Sequence, residues 1–355
     1  MTYTVNSGDS HVWEPADLWA RELPTQVRDR ALVVTSGDDG FETISIDGKV
    51  LRRESPSMLE ATRPPGVFDP EARLLDMDEQ GVNAELLFPT LGLWLYLADD
   101  PDLVFASARV YNEWVRDTFM RRSPRFIPTA LVPLHDVRRA LTEAQWAADN
   151  GFKALGLQCS PPADALFNTD VYEDLWSFVV ESGLRACFHV GTGSDPIVAH
   201  GPGGAIINYL QTYAPAQLSL AYLIASGALD RHPDLHLMFV ECGASWLAAL
   251  AERMDEGFHQ HQRFARPKLS MPPSDFIRRQ VHVTFQRDRA ALRSLDITGL
   301  DAIMFGTDYP HLEGTWPNTQ AELDKVFEGV PHDVAEAVSG GNFAKLFKLS
   351  SSAPS

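Results

Sequence analysis

Short apolar runs alternate with longer amphipathic stretches along most of the chain. The opening stretch Tyr3–Asp9 and the runs Glu85–Phe88, Phe126–Val132, Lys153–Leu157, Arg185–His189, His236–Val240, Val281–Phe285 and Ala302–Phe305 read as strands. Between them, Asp102–Arg121, Val137–Asn150, Val171–Ser182 and Ala244–Gln262 repeat their apolar positions with a period near 3.6, the signature of amphipathic helices. A strand followed by a helix, repeated without a tight reversal, predicts a parallel sheet. Eight such strands predict a closed (β/α)8 TIM barrel, an α/β fold, rather than an open doubly wound sheet. No glycine-rich phosphate-binding fingerprint follows the first strand, so a nucleotide site is not expected there.

Two segments break the rhythm. Ala31–Arg53 alternates polar and apolar residues around Asp39-Gly40 and Asp47-Gly48, which predicts a small β-hairpin insertion after the first strand. Asp195–Ala216, rich in Gly and Pro, follows the fifth strand and is long for a barrel loop, so it is expected to cover the site. The expected organisation is one metal-dependent barrel domain over residues 1–349, with an insertion at 31–53 and a frayed tail at 350–355.

Composition narrows the function. Apolar types make up 45% of 355 residues, enough for a large core. The formal net charge of −18 repels phosphates, so neither nucleic acid nor an anionic membrane is an expected partner. Cys159, Cys187 and Cys242 are odd in number, widely spaced and set in or beside apolar runs, as buried thiols in a reducing compartment would be. The opening residues carry no basic-then-apolar leader, and no run reaches the ~18 apolar residues of a membrane span, so a cytoplasmic protein is expected.

In a barrel of this kind the chemistry gathers at the C-terminal ends of the strands. The first run ends in Asp9-Ser10-His11, whose first and third side chains point the same way in an extended chain. The fifth ends in His189, the sixth in Glu241 and the eighth in Asp308, with His311 three residues on. Two imidazoles and three carboxylates at one mouth would cost several kcal/mol each if buried unpaired, whereas a divalent cation resolves the conflict. The mixed His and carboxylate set suits Zn, Mn or Fe better than Ca.

Asp9-Ser10-His11-Val12-x-Glu14-Pro15, His189-Val190-Gly191, His232-Pro233-Asp234-Leu235 and Gly306-Thr307-Asp308-Tyr309-Pro310-His311 resemble the amidohydrolase superfamily. The similarity is to its branch of aminocarboxymuconate-semialdehyde and resorcylate decarboxylases, which Tyr111-Asn112-x-Trp114 also fits, and it runs from about Val5 to Phe347. The resemblance implies metal ligands at Asp9, His11, His189 and Asp308, with Asp308 as ligand and proton acceptor, and a homo-oligomer acting on a small molecule. Asp9 stands where that family usually has His or Glu, Glu241 where it usually has a His, and Gln158 where a bridging Lys or Glu would sit.

The expected activity is therefore metal-dependent hydrolysis or non-oxidative decarboxylation of a small carboxylated or acyl substrate, with Asp308, Glu241 and the lid residue His200 as catalytic candidates. The alternative is a non-haem monooxygenase with two Fe, using Glu241 and His200 or His311 as further ligands. A barrel with a spoiled site, serving only to bind, is a third class, disfavoured because the ligand positions keep ligating types. Trp13, Phe88, Leu91, Trp94, Tyr96 and Trp316 are candidates for an apolar substrate pocket. Arg52, Arg53, Arg63 and Arg287 could each pair with a substrate anion, although no spacing singles one out. His135 is expected to cap its loop, and His259 and His261 to face solvent.

Overall fold

The computed structural model describes residues 2–349; the expected tail at 350–355 lies outside them. Eleven strands are found among the described residues: β1 (Val5–Val12), β2 (Val33–Ser36), β3 (Glu42–Ile46), β4 (Lys49–Glu54), β5 (Val82–Pro89), β6 (Phe126–Leu131), β7 (Ala154–Gln158), β8 (Arg185–His189), β9 (Leu237–Val240), β10 (Val281–Phe285) and β11 (Ile303–Phe305). Eight of them form one parallel sheet in the order β1-β5-β6-β7-β8-β9-β10-β11, with helices between, which is a TIM barrel. The expected first strand is shifted: it starts at Val5 and runs on to Val12, so Asp9 and His11 lie inside it. None of the described helices is long and apolar enough to cross a membrane.

The insertion is larger than the single hairpin expected. β2, β3 and β4 form an antiparallel three-stranded meander with two turns. The Asp47-Gly48 turn explains the tightness of the second: both residues have positive φ, 53° and 72°, as a two-residue turn matching strand twist requires.

The barrel lumen is closed by side chains. Leu86, Ile127, Ala154, Cys187, Met238 and Met304 pack together from β5, β6, β7, β8, β9 and β11, and Phe343, Leu346 and Phe347 of the last helix plug the end where the strands begin. Helix starts are set locally: Asp69 and Asp100 each precede a proline and accept a backbone N–H from Glu71 and Asp102 at 2.9 Å. Such caps contribute about 1 kcal/mol each.

The closing seam between β1 and the chain leaving β11 is short. Ser10 and Tyr309 form an isolated parallel bridge. The N–H of His11 donates to Tyr309 O at 2.7 Å, and the N–H of Asp308 donates to Asp9 O at 2.9 Å. Arg73 braces the seam from outside: fully buried, it donates to Glu85 at 2.7 Å and to His11 O at 2.9 Å, with its guanidinium 3.8 Å from the Tyr309 ring.

Gly306 makes this approach possible, because a Cβ there would stand 2.6 Å from Asp9 Cβ and 3.3 Å from its backbone nitrogen. Gly306→Ala is therefore expected to lower stability by about 1–3 kcal/mol in urea unfolding. Parent-like stability would mean that the seam can open without cost.

Candidate metal centre

Each candidate ligand is aimed by a local departure from regular structure. The pairing of β1 with β5 slips between Ser7 and Ser10, an irregularity of the kind that re-aims side chains, and it sits just where Asp9 must turn to the mouth. Val240 packs in the lumen, so a regular strand would send Glu241 outward; instead Glu241 takes φ 59°, which turns it back. Its N–H is held by Thr284 Oγ1 at 2.9 Å. Asp308 has φ 50°. Left-handed backbone at a non-glycine residue costs on the order of 1–3 kcal/mol, and strain of this kind concentrates at functional sites.

The donors meet at one point. His11 Nδ1 lies 2.9 Å from Pro89 O and His189 Nδ1 lies 2.9 Å from Val190 O. A carbonyl can only accept, so each Nδ1 carries a proton, which in the neutral ring leaves Nε2 as the lone pair. Those two Nε2 atoms face each other at 3.2 Å. Asp9 Oδ1 stands 3.6 Å from His11 Nε2 and 3.7 Å from His189 Nε2; Asp308 Oδ1 is 3.6 Å from His11 Nε2; Glu241 Oε2 is 3.3 Å from His189 Nε2. His311 joins them, its Nδ1 2.8 Å from Asp308 Oδ1 and its ring centroid 4.2 Å from that of His11.

Such an arrangement repels itself without a cation. Burial opposes the charge on Asp9, yet the imidazoles of His11 and His189 beside it outweigh burial and hold the carboxyl at about 2. Burial, with His311 beside it, brings His11 down to about 3, so its imidazole is a neutral ligand at ordinary pH. Burial, and after it the charges of Asp308 and Asp9, push Glu241 well above the usual carboxylate range. Asp308 is raised by burial, then by Asp9 and Glu313. Asp9 Oδ1 and Asp308 Oδ2 are buried with no hydrogen-bond partner. Two imidazole Nε2 atoms and two orphaned carboxylate oxygens fit a divalent transition metal, and the 3.2 Å between the nitrogens matches about 3–3.4 Å for two ligands at ~2.1 Å on one ion.

A cavity of about 660 Å³ opens above this point, walled by Glu241, Tyr209, Trp246, Phe285, Gln286 and Arg287. Tyr209, with Ile206 and Leu210, comes from a helix, Gly204–Gln211, formed inside the segment expected to be an irregular cover. Glu241 is the ligand candidate that reaches this space, with 15% of its side chain exposed.

The other candidates lie elsewhere. His200 is exposed and outside the cluster; Asn208 ties its loop back by accepting the N–H of Val198 and Ala199. Phe88 packs 4.7 Å from the His189 ring, as a floor beneath the ligands. Tyr96 is buried and spends its hydroxyl on Gly156 O at 2.7 Å, and Trp13 is buried under Arg63. Trp94 lies beside Arg52, and Trp316 packs on Tyr309. None of these six is on the cavity wall. The arginines are occupied: Arg52 with Glu54, Arg53 with Asp39, Arg63 with Glu42, and Arg287, although on the wall, with Glu322 and two carbonyls. Gln158 serves the backbone of Leu134 and Ser160.

Two participants escaped the sequence reading. Gln286 donates to Asp9 Oδ2 at 3.1 Å, and it directly follows β10, so the strand-end rule points to it once neutral partners are admitted. Glu14 is buried and takes three backbone N–H groups from Thr90, Leu91 and Gly92, fixing the loop after β5. Nothing in its spacing signals this.

The amidohydrolase family profile matches residues 9–349. A solved amidohydrolase from Mycobacterium avium subsp. paratuberculosis K-10 superposes with a TM-score of 0.83 at 20% identity, covering 98% of this chain and 100% of that one. The 5-carboxyvanillate decarboxylase of Sphingomonas paucimobilis gives 0.70 at 22%, covering 98% and 100%. That of Novosphingobium aromaticivorans, complexed with manganese and 4-hydroxy-3-methoxy-5-nitrobenzoic acid, gives 0.71 at 18%, covering 98% and 96%.

Two outcomes follow for the metal-free chain. Carboxyls raised by folding keep protons that the unfolded chain gives up, so stability is highest at or below the unfolded value and falls as pH rises through the folded one. Glu241 and Asp308 act this way, as does Glu14, pushed up to about 7 by burial. Stability should therefore decline as pH rises above 6.5; below that the histidines lowered by burial, His11 and His282 at about 3, work in the opposite sense and offset the carboxyls, as does Asp9, held at about 2, below 3.8. Asp308→Asn, which tolerates the left-handed backbone, should make the metal-free chain more stable at pH 8 by about 1–3 kcal/mol while lowering metal content. A metal-free parent that gains stability as pH rises from 6.5 to 8, or a metal-free Asp308→Asn less stable than the parent at pH 8, would show that no carboxylate repulsion is stored there.

Proposed function

We propose that this chain, which belongs to the amidohydrolase family, hydrolyses or non-oxidatively decarboxylates a small carboxylated or acyl substrate with the help of a bound divalent metal. One observation carries the reading: two imidazole nitrogens face each other at 3.2 Å beside two orphaned carboxylate oxygens, beneath a cavity on whose wall stands Glu241, the acid of that wall that also belongs to the ligand cluster. The decarboxylases among the structures of like fold favour a carboxylated substrate.

Asp9, His11, His189 and Asp308 would hold the metal, which supplies polarisation of a substrate oxygen or a bound water of pKa ~7. His311, bonded to Asp308, orients that carboxylate. Gln286 holds the second oxygen of Asp9 and leaves Oδ1 for the metal. Burial, and after it the carboxylates of Asp308 and Asp9, raise the Glu241 carboxyl well above the usual range, which favours its protonated form. In decarboxylation the bond to the carboxylate carbon breaks, carbon dioxide leaves, and the electron pair left on the substrate carbon takes the Glu241 proton. In hydrolysis the same proton goes to the leaving group. Trp246, Phe285 and Tyr209 exclude water around the reacting carbon.

A second reading rests on a specific feature. The donors form two overlapping groups, Asp9–His11–His189 and His11–Glu241–Asp308–His311, each within 4.8 Å. The first is the two-His, one-carboxylate set of non-haem iron oxygenases. It supports a monooxygenase with two Fe, in which Glu241 and His311 hold the second ion.

Metal analysis of protein purified without added metal separates the readings. About one Zn or Mn per chain, with carbon dioxide released from carboxylated aromatic compounds without oxygen consumption, is the expected result. About two Fe per chain with oxygen uptake would replace it with the second reading, and a chain that retains no metal would end both. Glu241→Gln should lower turnover by about 10²–10⁴ with one metal retained, since only the proton donor is removed. Unchanged turnover would make Glu241 a bystander.

A further inference from the structure

The opposite end of the barrel carries a second cavity, of about 330 Å³, beneath the starts of β8, β9 and β10. In a chain of net charge −18, its wall holds Arg185, Arg278, Arg279, Lys345 and Lys348 against a single carboxylate, Asp301. Two of the cations are neutralised: Arg278 pairs with Asp275 at 2.8 Å and Lys345 with Asp301. Three have no carboxylate partner among the described residues. Arg185, half-buried at the first position of β8, reaches only the carbonyls of Gly183, Leu184 and Leu346. Arg279 reaches Leu229 O and the Gln280 amide. Lys348, left-handed at φ 52° just past the last helix, makes no side-chain hydrogen bond or ion pair among the described residues.

A pair of histidines completes the wall. His282 Nδ1 is 3.0 Å from Asp301 O and so carries its proton there. Its Nε2 then accepts from His236 Nδ1 at 3.0 Å, which leaves His236 Nε2 as an open lone pair. The charged and titratable groups around His236 are His282, Arg185 and Asp234. Burial, and then Arg185, holds His236 below its ordinary value, so it is neutral while the cavity is empty of anions. An anion placed among these cations would favour its protonation and turn Nε2 into a donor.

We propose that this cavity binds the phosphate or diphosphate group of a free small molecule, held by Arg185, Arg279 and Lys348, with His236 taking up a proton as the ligand enters. The guanidinium forks of Arg185 and Arg279 suit tetrahedral oxyanions, and the cavity has room beyond one phosphate for the body of an organic ligand. The site is independent of the metal centre, because the side chains of the last helix that plug the lumen separate the two.

Titration calorimetry of the metal-loaded full chain with inorganic phosphate and with pyrophosphate, at constant ionic strength, tests this. Saturable binding of one anion per chain is expected, tightening by up to about tenfold per pH unit as pH falls below the bound-state pKa of His236. The double variant Arg279→Glu, Lys348→Glu changes exposed side chains and should weaken binding at least tenfold with metal content unchanged; His236→Gln should flatten the pH dependence. Absence of saturable binding, or binding untouched by the double variant (which would place the anion at the metal instead), overturns the proposal. Sedimentation with phosphatidylinositol-phosphate vesicles without binding of the soluble anions would overturn the free small molecule as ligand.

Discussion

The barrel closes through the same backbone groups that carry its candidate ligands. The bonds from Asp308 N–H to Asp9 O and from His11 N–H to Tyr309 O are both the seam of the cylinder and the hinges of the candidate metal centre. Side chains of like charge are thereby forced together by main-chain pairing that cannot relax without opening the fold. A surface cluster of carboxylates would splay into water. Here Arg73 clamps the outside of the seam, the lumen residues fill the inside, and the repulsion has no outlet except protonation or a cation. Stability and ligand geometry are therefore set by one set of contacts.

Much of this was legible in the sequence because a parallel barrel has a polarity. Once eight apolar runs alternate with helices, the residue types that end the runs must share a mouth, and Asp9, His11, His189, Glu241 and Asp308 do so. Periodicity also located the helices at Val137–Asp149 and Trp246–Gln260 to within two residues. Its failures have physical causes. The insertion was read as one hairpin because only one of its turns has the tight two-residue form, and β2 adds a third strand through a looser one. Aromatic residues near strand ends were read as pocket walls, but an aromatic ring after a strand is as able to close the barrel from outside, which Trp13 and Tyr96 do. The helix Gly204–Gln211 hides in a Gly- and Pro-rich stretch whose composition argues for a loop. Gln286 was passed over because an amide is not a ligand, although a ligand needs a partner for its second oxygen.

Charge is segregated along the barrel axis. The mouth collects Asp9, Glu241 and Asp308, while the opposite end collects unpaired arginine and lysine in a chain with far more acids than bases. Helices flanking a parallel barrel run against their strands, so their positive ends face the mouth and their negative ends the bottom, a field that favours this division without supplying its side chains. The cations at the bottom sit too far outside the lumen to neutralise the carboxylates, since Phe343, Leu346 and Phe347 stand between. Each end must find its counter-charge separately.

The state of Glu241 and the number of metal ions are one question rather than two. A single divalent ion balances two carboxylates, and Asp9 and Asp308, one of them held near 2 and both with orphaned oxygens, are the two it would take. The third carboxyl then meets an already neutral site with two carboxylates near it and little solvent, which is the environment that keeps a proton on Glu241 and makes it an acid. A second divalent ion reverses this: all three carboxylates are then needed as anions, Glu241 loses its proton to become a ligand, and the acid disappears from the cavity. The same carboxylate cannot serve both purposes, so whichever ion count the folded chain adopts decides whether the mouth offers a proton or only a ligand to what enters it.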